Sequence, residues 1–76
     1  MARVYFIIMD RTKARDDENQ MMFHCANALD DISGYLARYM KQRALAIEDF
    51  RLYVAPSKKV WDDMMWHFAR RVAGKE

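Results

Sequence analysis

The sequence predicts a small α/β domain in which two parallel strands, forming a single-layer sheet, are packed by two helices in the order β-α-β-α. Its 76 residues leave room for one core, and 53% of them are hydrophobic with two glycines and one proline. The spacing of apolar residues also alternates between strand-like and helix-like periods along the chain. We therefore expect residues 1–76 to form one domain, with an α+β arrangement as the alternative class.

The first strand is predicted at residues 3–9, RVYFIIM, which is rich in β-branched and aromatic residues. Apolar side chains fall on both of its faces, as in a strand that is covered on both sides. One face carries Val4, Phe6 and Ile8, and the other carries Tyr5, Ile7 and Met9. The polar turn that follows offers Thr12, Asp16 or Asp17 as a helix cap.

The first helix is predicted to follow this turn and to end near residue 42. Its apolar residues recur at spacings of three and four, which places them on one side of a helix. They are Met22, Cys25, Leu29, Ile32, Leu36 and Tyr39. Phe23 and Tyr35 lie at the edges of this stripe, as peripheral core or as interface residues.

The second strand is predicted within residues 47–55, IEDFRLYVA, and the second helix over residues 58–73. Pro56 ends the strand, Ser57 is placed to cap the helix, and Gly74 is a natural stop. The buried face of the helix is expected to contain Val60, Trp61, Met64, Phe68 and Val72.

A sheet of two strands is marginal, and the first strand keeps one apolar face without a cover. We therefore expect a homodimer, or a partner protein, to supply the missing layer. The residues expected at this dimer face are Tyr5, Ile7, Met9 and Tyr53. A short extra strand within residues 43–48 is the alternative remedy.

The residues available for chemistry argue against an enzyme. Two histidines and one cysteine are too few for a metal site, and no glycine-rich phosphate loop is present. We therefore predict no catalytic residues, metal, cofactor or small-molecule substrate. The lone Cys25 favours a reduced, cytoplasmic setting, and the apolar run at residues 4–9 is too short for a membrane span.

Trp66 is the main candidate for an interface, because it falls opposite the predicted buried face of the second helix. Trp residues often carry much of the energy of an interface, although a loop of the same chain is the other possible cover. Its neighbours on the helix are Lys59, Asp62, Asp63 and Arg70, and Arg70 is placed to stack on it.

A basic end is predicted from the placement of cations late in both helices. If both helices run opposite to the strands, their C-termini meet the start of the first strand. The residues gathered there are Arg3, Arg38, Lys41, Arg43, Arg71 and Lys75. This end suits phosphates or an acidic protein surface.

The order of elements resembles that of the small DinI-type SOS regulators, which implies the same β-α-β-α fold. The matching segments are "RLYVA" and the aromatic helix "VWDDMMWHF". The helix here ends basic where that family's helix is strongly acidic, so the family's function is not carried over.

Together these features favour a protein-binding module that occludes a partner protein. Small inhibitors that phages and plasmids direct at host machinery, anti-CRISPR proteins among them, share this size and this lack of chemistry. Sequence-independent nucleic-acid binding by the basic end is the alternative.

Overall fold

The computed structural model describes residues 3–43 and 46–74, which form one antiparallel sheet and two helices. The elements are β1 (Val4–Asp10), β2 (Met21–Ala26), α1 (Asp31–Arg43), β3 (Phe50–Val54) and α2 (Lys58–Ala73). The strand order is β2-β1-β3, and β1 is antiparallel to both neighbours. The domain is therefore α+β. The predicted parallel pair, and the β-α-β-α order that the resemblance implies, are wrong.

The error lies in residues 21–26, which form a strand instead of the first turns of a helix. The segment MMFHCA pairs with β1 in a continuous register from Val4↔Ala26 to Met9↔Met21. The spacing of Met22, Cys25 and Leu29 fits a helix, but a short run that is apolar except for His24 fits a strand equally well. Pairing with β1 makes residues 21–26 a strand, and the helix begins only at Asp31.

The polar segment before β2 closes a hairpin and caps no helix. Asp10 donates its backbone N–H to the Gln20 carbonyl at 2.7 Å, next to the last strand pair. Within the turn, the Asp17 carboxylate accepts from the Asn19 backbone, and Thr12 donates to the Asp10 carboxylate. The predicted caps at Thr12, Asp16 and Asp17 are therefore wrong, because these residues belong to a strand-to-strand connection.

One face of the sheet packs against α1 and forms the principal core. Phe6 and Ile8 of the central strand are fully buried there. They pack with Ala26 of β2 and with Ile32 and Tyr39 of α1. The predicted end of this helix near residue 42 is confirmed, since α1 ends at Arg43.

The opposite face of β1 packs against α2. Ile7 is 2% exposed. The centroid of the Trp61 ring lies 5.3 Å from that of the Tyr5 ring and 6.0 Å from that of the Phe23 ring. Phe68 packs on the other side of Phe23 at 5.9 Å. At Tyr5 and Ile7, the face predicted to need a second copy is covered by α2 of the same chain.

The second helix follows its prediction closely. It spans Lys58–Ala73, and the Ser57 hydroxyl accepts the backbone N–H of Val60 at 3.2 Å. Gly74 donates its N–H to the Arg70 carbonyl at the other end. The preceding strand, Phe50–Val54, lies within the predicted segment and follows a single 3₁₀ turn at Ile47–Asp49. The extra strand considered for residues 43–48 is not found in their described part, and residues 44 and 45 lie outside the described residues.

Both helices pack mainly on β1 and β2, and β3 is exposed beyond Phe50, which packs against the core beneath α1. Tyr35 of α1 packs on Phe6 and on His24 of β2, whereas α2 packs on Tyr5 and Phe23. In contrast, three consecutive apolar residues of β3 are exposed on both faces of the strand. These are Leu52 at 39%, Tyr53 at 44% and Val54 at 42%.

The two tryptophans provide a matched test of this packing. Trp61 donates its indole N–H to the Phe6 carbonyl at 3.1 Å across the helix-sheet interface, and Trp66 faces outward. Trp61→Phe removes that donor, so we expect it to lower the free energy of unfolding by about 1–2 kcal/mol. Trp66→Phe should change the free energy of unfolding by less than about 0.5 kcal/mol. Urea denaturation of both variants measures the difference, and equal losses would contradict the assigned orientation of α2.

Candidate functional site

The outer face of α2 carries an apolar patch made of Met65, Trp66 and Ala69, here called the Trp66 patch. Trp66 is 68% exposed, and the three residues line a shallow hollow of about 260 Å³. Its direction follows from helix geometry, because Trp66 is two positions from the buried Phe68 and thus about 200° away around the axis. A large apolar side chain therefore lies on the outer face of a helix and is open to solvent.

Charged residues surround the Trp66 patch without covering the indole. Lys58 pairs with Asp62 at 2.8 Å and Lys59 pairs with Asp63 at 3.3 Å, each one helical turn apart. The hydrogen bond to Asp62 raises the pKa of Lys58. Arg70 is exposed, but the cation-π contacts within the described ranges are made by other arginines. The predicted stacking of Arg70 on Trp66 is therefore not observed.

Phe23 and Tyr35, which were interface candidates, are half-buried packing residues. Phe23 lies on β2 between Trp61 and Phe68, on the inner side of α2. Tyr35 packs at 5.5 Å on Phe6 beneath α1, on the other face of the sheet. Neither can join Trp66 in one surface. Burial beside these rings lowers the pKa of His24, whose ring packs on both Phe6 and Tyr35.

A second apolar surface lies beside β3. A groove of about 300 Å³ runs between this strand and α2, and its lining includes Met9, Met21, Tyr53 and Met64. Of the predicted sheet face, Met9 and Tyr53 line this groove, whereas Tyr5 and Ile7 are held beneath α2. Sequence reasoning missed the groove because it depends on Met21 lying in a strand.

The predicted basic end is divided between opposite ends of the domain. Arg43 lies over the Tyr39 ring, near the end of β1, and Arg71 donates to the Arg15 carbonyl and to Gln20 in the β1–β2 turn. Burial raises the pKa of Tyr39, an effect that nearby Arg43 opposes and Asp10 reinforces.

Arg3 lies at the other end, because the hairpin makes both helices run in the same direction as β1. Its guanidinium donates to Cys25 Sγ at 3.4 Å, and it lines an open hollow of about 400 Å³ with Arg38 and Asp31. Lys41 is exposed in the last turn of α1. Lys75 lies outside the described residues.

The described part of the chain holds no group of three or more His, Cys, Asp or Glu residues arranged to bind a metal ion. Cys25 is a half-buried free thiol on β2. Asp10 is a buried carboxylate that accepts hydrogen bonds from the backbone N–H and the hydroxyl of Thr12, as in a turn.

Comparison of the chain with protein-family models, with curated proteins and with solved structures finds no match. Neither described helix is long and apolar enough to cross a membrane.

Proposed function

We propose that this protein is a non-enzymatic binding module that occludes the surface of a partner protein through the Trp66 patch. The observation that carries the proposal is the 68% exposure of Trp66 on the outer face of α2. Tryptophan is among the residues most enriched where interface energy is concentrated. Leaving it in water has a hydrophobic cost, which a partner's surface would remove.

The surroundings of Trp66 suit a protein interface. The hollow beside the indole, lined by Met65 and Ala69, can accept one apolar side chain of a partner. Methionine adapts its shape to such a neighbour because its side chain is unbranched and polarisable. The rim carries both signs of charge, with Lys59 and Arg70 as cations and Asp62 and Asp63 as anions. An apolar centre with a polar rim is the usual arrangement of a specific interface.

The mechanism requires only mass action. A partner whose functional surface receives the indole is blocked for as long as the complex lasts, and the inhibition follows the concentration of this protein. Inhibitors of this kind, including the anti-CRISPR type, need no catalytic residue and no cofactor.

Replacing Trp66 tests the proposal. We expect Trp66→Ala to weaken partner binding by about 30-fold or more, since the loss of an interface anchor costs about 2 kcal/mol or more. Wild-type and variant baits are compared by affinity capture with mass spectrometry. Titration of the purified partner then measures the dissociation constants.

The control variant is Ile47→Ala, which removes an exposed apolar side chain at 72% exposure from a turn distant in sequence from α2. A partner retained by wild-type and Ile47→Ala and lost by Trp66→Ala supports the proposal. Equal binding by all three proteins contradicts it. Arg71 is unsuitable for charge reversal, because its guanidinium holds Arg15 and Gln20 in place.

The arrangement of charge gives less support to sequence-independent nucleic-acid binding. The end that holds Arg43 and Arg71 has further cations in the β1–β2 turn, Arg11, Lys13 and Arg15, but several carboxylates lie among them, and Arg3 lies at the other end. The carboxylates are Asp16, Asp17, Glu18, Glu48 and Asp49. We therefore expect fluorescence anisotropy to show no binding to random single or double strands at about 50 mM salt. Tight binding that falls steeply with added salt would instead favour the nucleic-acid alternative.

A further inference from the structure

We propose that the free edge of β3 binds β3 of a second copy of this chain. The two strands pair antiparallel about a two-fold axis through Leu52, and the two sheets of three strands join into one of six. This interface is distinct from the Trp66 patch and does not depend on the proposed function.

The backbone of β3 presents alternate groups to β1 and to the free edge. The backbone N–H of Ala55 donates to the Tyr5 carbonyl at 2.8 Å, and the backbone N–H of Arg11 donates to the Asp49 carbonyl at 2.7 Å. The backbone groups of the odd-numbered residues in this segment therefore face β1. In an antiparallel ladder the intervening residues point their N–H and C=O groups the other way. These are Phe50, Leu52 and Val54, and no described strand pairs with them.

A two-fold axis at Leu52 is the arrangement that satisfies all these groups. It pairs Leu52 with Leu52 of the second copy, and Phe50 with Val54, using the outward groups of all three residues. An axis at Val54 would place Leu52 opposite Pro56, which has no N–H to donate. An axis at Phe50 would run into the 3₁₀ turn at Ile47–Asp49, which is not extended.

The side chains in this register are complementary on both faces. On the α1 side, the residues meeting across the axis are all apolar, namely Phe50, Leu52 and Val54. On the α2 side, Arg51 lies opposite Tyr53 of the second copy and not opposite another arginine, which avoids like-charge repulsion. Pairing with a second copy thus places apolar residues opposite apolar residues and separates the two arginines, and this property favours a second copy over an unrelated strand.

β3 itself carries little of the usual protection of an edge strand, although Pro56 follows two residues after its end. Soluble proteins shield such edges with proline, charged residues or a covering element. Between Phe50 and Val54 there is one charge and no proline, and Leu52, Tyr53 and Val54 are each about two-fifths exposed. The other edge, β2, is half-buried or buried at every position, under both helices.

The expected affinity is modest. A stable interface buries about 800 Å² on each partner, and an edge of five residues supplies only part of this area. We therefore expect a dissociation constant of about 10–100 µM. Sedimentation velocity and light scattering from about 2 to 500 µM should show a reversible change from monomer to dimer in the wild-type chain.

Charge exchange at the axis tests the geometry. Leu52→Lys and Leu52→Glu each place two like charges opposite one another, so each variant alone should remain monomeric. An equimolar mixture of the two should dimerise, because Lys then faces Glu. Leu29→Lys, at an exposed position outside the sheet, is the control and should dimerise like wild type. Circular dichroism establishes that each variant is folded.

The proposal is overturned if the wild-type chain stays monomeric at about 500 µM, a measurement that requires no variant to fold. Dimerisation of Leu52→Lys alone, or failure of the Lys and Glu variants to associate when mixed, also overturns it. Trp66→Ala should leave the monomer-dimer transition unchanged. A failure of the proposed pairing at Leu52 can therefore be distinguished from a failure of the proposed partner binding at the Trp66 patch.

Discussion

The pairing of β2 with β1 determines the architecture of this protein. It turns β1 into a central strand, so that both of its apolar faces acquire a layer from the same chain. Phe6 and Ile8 are buried under α1, and Ile7 is buried under α2. Without β2 the sheet would have only two strands. Such a sheet is marginally stable and requires further strands or packing from another chain. The hairpin also makes both helices run along β1, which separates Arg3 from Arg43 and Arg71.

The position of both helices over β1 and β2 explains which surfaces are available for binding. Seven methionines and ten aromatic residues are more than the core of a 76-residue chain can enclose. Trp61 and Phe23 pack against each other between α2 and the sheet, whereas Trp66 is exposed on the outer face of α2. The second group of exposed apolar residues lies on β3, whose outer edge has no strand beside it within the described ranges. A partner protein and a second copy can thus bind to different surfaces.

Local signals in the sequence were sufficient for α2 and for β1. Ser57 and Gly74 mark the ends of α2, and the spacing of its apolar residues matches one helical face. The exposure of Trp66 follows from the same periodicity. Residues 21–26 were misjudged because Met22, Cys25 and Leu29 have helical spacing, and only pairing with a distant strand makes this segment extended. The groove beside β3 and the division of the basic residues depend on that pairing and could not be predicted without it.

Amide hydrogen exchange at low protein concentration tests the central role of β1 most directly, because backbone protection reports which groups are paired and covered. We predict the strongest protection in β1, with clear protection in β2 at His24. In β3 we expect Arg51 and Tyr53, which face β1, to be protected, and Leu52 and Val54 to exchange rapidly. Continuous helical protection from residue 21 through α1, or equal protection of neighbouring residues along β3, would contradict the antiparallel sheet described here.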